Sequence, residues 1–209
     1  MVTLDALRTH FSLHDPILFS YFDRVIHSIV LSKSKDPFID LVESIISQQL
    51  SERAASTISG RFHALFPAKK ISAHQILSLK DETLRGVGIS WSKVSYIKAI
   101  ATAVETKAIN FQALEALEDV SIIKELTNIK GVGRWTAEMF LMFSLGREDI
   151  FSYGDLGLRR GIMKVYGITK DPSVQKMQKL EKKWMPYRTY AARMLWRIGD
   201  LTDMAVVEP

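Results

Sequence analysis

The chain has no cysteine among its 209 residues, which excludes disulfides, thiolate-bound zinc and iron–sulfur clusters. No stretch approaches the ~18 consecutive apolar residues of a membrane span, and the opening residues are not a basic segment followed by an apolar run. The expectation is an intracellular protein without a membrane partner, in the cytoplasm or nucleoid of a prokaryote or the nucleus of a eukaryote. Alternating apolar and polar runs bounded by turn residues are also missing, as are low-complexity tracts and strong internal repeats. There is little from which to build a sheet.

What is present is a hydrophobic content of 47%, enough for a sizeable core in one large domain or two small lobes. Apolar residues recur at spacings of three and four throughout, which predicts a nearly all-helical fold. Asp15-Pro16 reads as the opening of a first long helix, with Asp as cap and Pro in the first turn. Asp36-Pro37 opens the next in the same way, and Phe38, Leu41, Val42, Ile45 and Ile46 give that helix a buried stripe. It runs into Gln48 and Gln49, after which Ser51 can cap a further helix. Adjacent amides at a junction are ordinarily just solvated.

Net charge is +5, but its distribution is uneven. From Arg159 to Arg197 there are 11 Lys or Arg against two acids, a balance of +9, while residues 1–158 sum to −1. A basic last quarter fits a polyanion such as a phosphate backbone, or simply a solvated helix face.

The most informative stretch is Gly131-Val132-Gly133, between an apolar segment ending at Leu126 and a second one in which Trp135, Met139, Met142 and Phe143 recur at helical spacing. Each glycine would cost about 1 kcal/mol inside a helix relative to alanine, whereas a tight turn with positive φ suits both. A hairpin between two helices follows, the second starting near Arg134. Its unpaired first amides and glycine-bared backbone make an anion site. A plain helix–helix turn without ligand is the alternative. Leu84 to Lys93, with Gly86 and Gly88, reads as a second hairpin feeding a long helix.

Taken jointly, Leu126, Ile129, Gly131, Val132, Gly133 and Ala137, followed by Asp155 about 22 residues after the second glycine, resemble the helix-hairpin-helix DNA glycosylases, in particular the 3-methyladenine DNA glycosylase II branch. The resemblance runs from about Pro37 to Ile198. It implies a two-lobed helical bundle with a cleft between lobes, in which residues 1–209 form one glycosylase unit. A central lobe would span about 37–150 and include the hairpin 126–137. The N-terminal helices 1–35 and C-terminal helices of about 156–200 would form the second lobe. The branch often carries an N-terminal sheet domain, but the residues before the matching region read here as helix.

The resemblance also implies roles. Asp155 becomes the catalytic carboxylate, although its place after Gly154 equally suits a helix cap. Gln49, with Gln48 beside it, becomes the wedge that fills the gap left by an extruded nucleotide. Gly131, Val132, Gly133, Arg134, Thr136 and Lys93 become phosphate contacts. Trp135, Tyr187 and Met139 become the base pocket, with a core tryptophan as the other reading of Trp135, while Leu195, Trp196 and Ile198 read as core. The carbonyls of Thr127, Ile129 and Val132 would hold a structural monovalent cation, and no other cofactor is expected.

Related bifunctional enzymes carry a Schiff-base lysine where this chain has Trp135, which implies base excision by water without strand cleavage. The expected partner is double-stranded DNA containing damaged bases, bound by a monomer. A non-catalytic DNA-binding hairpin module and a glycosylase for oxidised or mismatched bases are the competing readings.

Overall fold

The computed structural model describes residues 2–66 and 71–201. Among them there is no strand, and the helices in chain order begin with α1 (Leu4–His14), α2 (Pro16–Phe19), α3 (Phe22–Val25), α4 (Pro37–Ser47) and α5 (Glu52–His63). They continue through α6 (Ala73–Ser78), α7 (Asp81–Gly86), α8 (Trp91–Glu105), α9 (Phe111–Leu114) and α10 (Asp119–Thr127). The last four are α11 (Arg134–Phe143), α12 (Leu156–Tyr166), α13 (Val174–Trp184) and α14 (Arg188–Asp200). The all-helical expectation holds, and no helix among the described residues is long and apolar enough to cross a membrane.

The chain divides into two compact units, one of residues 33–145 and one joining residues 1–32 to 146–209. In the first, α4 carries the anticipated stripe, with Phe38, Leu41, Val42, Ile45 and Ile46 all buried. It packs against α5, α8 and α11. Ile97 and Ile100 of α8 are fully buried, and α8 packs against α6 and α7 as well as α4.

In the second unit α12 and α14 are the principal pair. Their contact is unusually close because of Gly161: a Cβ there would lie 2.4 Å from the Leu195 carbonyl oxygen. The N-terminal segment is helical, but its long helix is α1, capped by Thr3, and not the one opened by Asp15-Pro16. Pro16 excludes the preceding residue from the helical region, so Asp15 sits at φ −147°, ψ 77°, ends α1 and caps only the four-residue α2.

Asp15 is fully buried and its carboxylate is satisfied by three donors. These are the Leu18 amide at 3.2 Å, the Trp184 indole N–H at 2.9 Å and the Tyr166 hydroxyl. A buried carboxylate without such partners would be costly; here it ties α2, α12 and α13 together.

Candidate functional site

The hairpin joins α10 to α11, and its two glycines do different work. Gly131 has φ +92°, and a Cβ there would fall 2.1 Å from Cγ of Tyr96 on α8, so backbone and packing both demand glycine. Gly133 has φ −85°, ψ 170°, a conformation open to any residue, and an added Cβ would meet nothing within 4 Å. The expectation of positive φ at both is corrected. Nothing among the described residues requires Gly133 to be bare, whereas close approach by an external group would.

Gly133 is the N-cap of α11 and supplies no capping side chain. The first closing bond of that helix is Ala137 N–H to the Gly133 carbonyl at 3.0 Å, so the amides of residues 134–136 precede any intrahelical partner. Together with the helix dipole they present a positive end. Val132 does not share in it, because it is buried and its N–H closes the turn on the Ile129 carbonyl at 3.1 Å. The Thr136 side chain is also buried and accepts from Nε2 of Gln48 at 3.2 Å, leaving its backbone as its offer to an anion. Arg134 pairs with Glu138 at 2.8 Å, yet its side chain stays 72% exposed.

The carbonyls of Thr127, Ile129 and Val132 are neutral oxygen donors of the kind a hard monovalent cation takes. The Ile129 oxygen, having accepted one N–H, retains a second lone pair. The donor set fits such an ion.

The polar junction after α4 is a tight turn. Leu50 N–H bonds the Ser47 carbonyl at 3.1 Å, Gln48 has φ −48°, ψ 130° and Gln49 has φ +57°, the pattern of a type II turn with a non-glycine residue in its left-handed position. That placement costs about 1–2 kcal/mol for an L-residue. Ser51 then caps α5, as expected. Gln49 is exposed, whereas Gln48 is half-buried and bound to Thr136. The two amides are thus not equivalent wedges: one projects and the other is a tether.

Lys93 is likewise reassigned. Its ammonium donates to the carbonyls of Ile46 at 2.8 Å and Gln48 at 2.7 Å, the last carbonyls of α4 and the turn itself, instead of reaching outward as a phosphate contact. Burial holds its pKa below the ordinary lysine value.

On the same unit Trp135 is 43% exposed, which removes the core reading of this residue. Met139, one turn later, is half-buried. With Phe140, Phe143 and serines of α4 and α5 it lines a groove of about 480 Å³.

Asp155 belongs to the other unit. It is the N-cap of α12, only 7% exposed, and its Oδ1 accepts from the Leu158 amide at 2.7 Å and from the indole N–H of Trp196 at 2.8 Å. One carboxylate oxygen therefore serves two donors: the cap fixes its position along α12 and the indole fixes its rotation. Gly157 permits this arrangement, because a Cβ there would lie 2.8 Å from Cδ1 of Trp196 and 3.1 Å from the Asp155 oxygen. Leu195 and Ile198 are core, as expected. Trp196 is only partly buried, and its part in the site went unread; the available signal was that an inward indole N–H needs an acceptor.

Tyr187 is half-buried at the head of α14. The His10 ring of α1 packs edge-on to it, with centroids 5.0 Å apart. His10 Nε2 donates to the Lys183 carbonyl at 3.0 Å, because a carbonyl can only accept.

The basic last quarter separates into two populations. Arg188 chelates Asp149 at 2.7 and 3.0 Å and reaches Glu181, while Arg159 pairs with Asp171 at 2.7 Å. These are internal ties. Lys176, Lys179, Lys182 and Lys183 of α13 are exposed, as are Arg160, Lys170 and Arg197, and these belong to the part of the cluster open to solvent.

Comparison with known proteins gives these features a context. The family model described as HhH-GPD superfamily base excision DNA repair protein matches residues 42–186. DNA-3-methyladenine glycosylase 1 of Schizosaccharomyces pombe is 34% identical over 177 residues, covering 82% of this chain and 76% of that protein. Among solved structures, the DNA-3-methyladenine glycosidase of Bacillus halodurans is 38% identical with a TM-score of 0.82, over 95% of this chain and 90% of that one. The S. pombe 3-methyladenine DNA glycosylase in complex with abasic DNA is 31% identical with a TM-score of 0.85, over 96% and 99%.

Proposed function

The chain belongs to the HhH-GPD superfamily of base excision DNA repair proteins, and on that premise we propose that it is a monofunctional glycosylase that excises alkylated purines from duplex DNA. The observation that carries the reading is the carboxylate of Asp155, withdrawn from bulk water and oriented by the Leu158 amide and the Trp196 indole. Cleavage of an N-glycosidic bond develops positive charge on the sugar, and an ionised carboxylate in a water-poor site stabilises it. The same group can orient or deprotonate the attacking water. A purine alkylated at N3 or N7 already carries positive charge and leaves without a protein acid, so one carboxylate suffices.

The hairpin unit supplies the grip. Amides at the head of α11 and the exposed Arg134 side chain take phosphates, and Gln49 fills the space of the extruded nucleotide, which offsets the few kcal/mol of unstacking. We assign Trp135 and Met139 of the hairpin unit, and Tyr187 of the other unit, to contacts with the base, where cation–π attraction of an indole face to an alkylated purine contributes about 0.5–2 kcal/mol. The carbonyls of Thr127, Ile129 and Val132 would hold a monovalent cation, which adds positive charge beside a DNA phosphate when bound. With Trp135 in place of an amine nucleophile, the sugar–phosphate strand stays intact. The protein acts as a monomer on DNA containing damaged bases.

The test is a panel of duplex oligonucleotides, each with one defined lesion, scored for free base released and for strand breaks. Release of 3-methyladenine or 7-methylguanine with intact abasic strands is the expected result. Binding without release points instead to a non-catalytic hairpin module, and nicking at neutral pH without heat or alkali refutes the monofunctional assignment.

A further inference from the structure

The turn that displays Gln49 is held from two sides by elements distant in sequence. Lys93, in the first turn of the 15-residue α8, binds the carbonyls on either side of the α4 terminus, at Ile46 and Gln48. From the other side the Gln48 amide is fixed to Thr136, in the first turn of α11. Between these two anchors Gln49 keeps a left-handed backbone that an unrestrained L-residue rarely adopts. Three residues beyond Lys93, the Tyr96 ring of α8 lies against Gly131 of the hairpin so closely that no Cβ fits between them. One helix therefore sets the position of both the projecting amide and the phosphate-facing turn.

We propose that Lys93 is a positioning residue for base extrusion: it clamps the 47–50 turn so that Gln49 projects at a fixed height relative to the hairpin amides. The inference rests on the glycosylase reading only in taking extrusion as the step served. Lys93 touches no DNA in this account. Its loss alters how far a nucleotide is driven out of the stack, and not how tightly the protein holds undamaged duplex.

The experiment uses the full chain with two duplexes. One is undamaged, and the other carries 2-aminopurine beside a tetrahydrofuran abasic analogue, so that unstacking is read as fluorescence without any bond being broken. Wild type is expected to raise the fluorescence. Lys93→Met should cut the rise and the kcat for 7-methylguanine release by about tenfold, the factor that corresponds to losing the left-handed turn, with undamaged-duplex affinity within about twofold. Thr136→Val, which releases the same turn from its other anchor, should move the same readouts in the same direction and decides the matter if Lys93→Met does not fold. Adding Gln49→Ala to Lys93→Met should cost nothing further, whereas Lys93→Arg should restore much of the signal.

Unchanged fluorescence in a folded Lys93→Met protein overturns the proposal. So does a fall in undamaged-duplex affinity with a salt slope reduced by about one, the mark of a lost phosphate contact. A wild type that unstacks the probe but releases no base leaves the clamp standing and refutes the glycosylase reading; a wild type that does not unstack it refutes the clamp.

Discussion

Replacing Trp196 with phenylalanine isolates the part of the site that sequence patterning hides. The change keeps an aromatic ring against α12 and removes one donor, the indole N–H at 2.8 Å from Oδ1 of Asp155. A hydrogen bond to a charged acceptor contributes about 1.5–3 kcal/mol, and the carboxylate keeps its second tie, the Leu158 amide. The cap therefore survives while the indole's hold on the rotation of the carboxylate is removed. If the whole of that energy serves orientation in the transition state, single-turnover release of 7-methylguanine falls by about 10- to 100-fold. Affinity for abasic duplex stays close to wild type, because the hairpin unit is untouched. The midpoint of thermal unfolding drops by about 2–4 °C for each kcal/mol lost from the ground state of a chain this size. In an Asp155→Asn background the same substitution should add almost nothing, since residues acting as one unit are not additive. A single-turnover rate within twofold of wild type, with the protein folded, refutes the claim that the indole aims the carboxylate.

Four further substitutions test other parts of the structure. Asp155→Asn keeps an oxygen where both donors point, so it should fold and bind abasic DNA normally while base release falls by at least about 10²-fold; wild-type release would remove the catalytic assignment. Gly131→Ala should lower thermal stability sharply, because its Cβ would lie 2.1 Å from the Tyr96 ring at φ +92°. Gly133→Ala should leave stability nearly unchanged and weaken duplex binding, and a calorimetric scan beside a titration separates the two. Finally, burial, then the neighbouring His14, pulls the His10 pKa below 6.5, against the raising effect of the Lys183 carbonyl. The unfolded chain then takes a proton before the folded one does, so stability present near neutral pH is lost as pH falls from about 6.5 through the depressed value. His10→Gln should flatten that part of a stability-against-pH curve, and an unchanged acid slope would show that other groups set it.

The helices that hold the site were legible because their signals are local and redundant. Asp36-Pro37 with the stripe from Phe38 to Ile46 specifies α4, and Ser51 specifies the start of α5. Helix over residues 1–35 is expected as well, but the boundary of α1 rests on weaker signals than Asp-Pro: Thr3 caps it and Leu7 and Phe11 are its buried face. The hairpin is legible from two glycines set between apolar segments, and Asp155 as the cap of the helix after it; a catalytic role for Asp155 is what the family resemblance adds. What was not legible depends on contacts across it. Two adjacent glutamines look alike until a turn puts one outward and ties the other to Thr136. A lysine near a hairpin looks like a phosphate ligand until the α4 carbonyls claim it. Two glycines around a valine look equivalent until Tyr96 is found against the first alone. Periodicity placed Trp196 among apolar neighbours, and only the acceptor opposite its nitrogen reveals a different task.

The seam at Gly161 has a longer reach than its size suggests. Because α12 rests there on the main chain of α14, the distance between the two helices is set by atoms common to every amino acid and not by a chosen side chain. On the proposed reading, substitutions among the residues assigned to the base can accumulate and change which lesion is preferred while the negative charge stays put. A search for altered specificity should therefore vary the rings at 135 and 187 and leave residue 161 alone, where one methyl group would spread the pair and carry the carboxylate away with it.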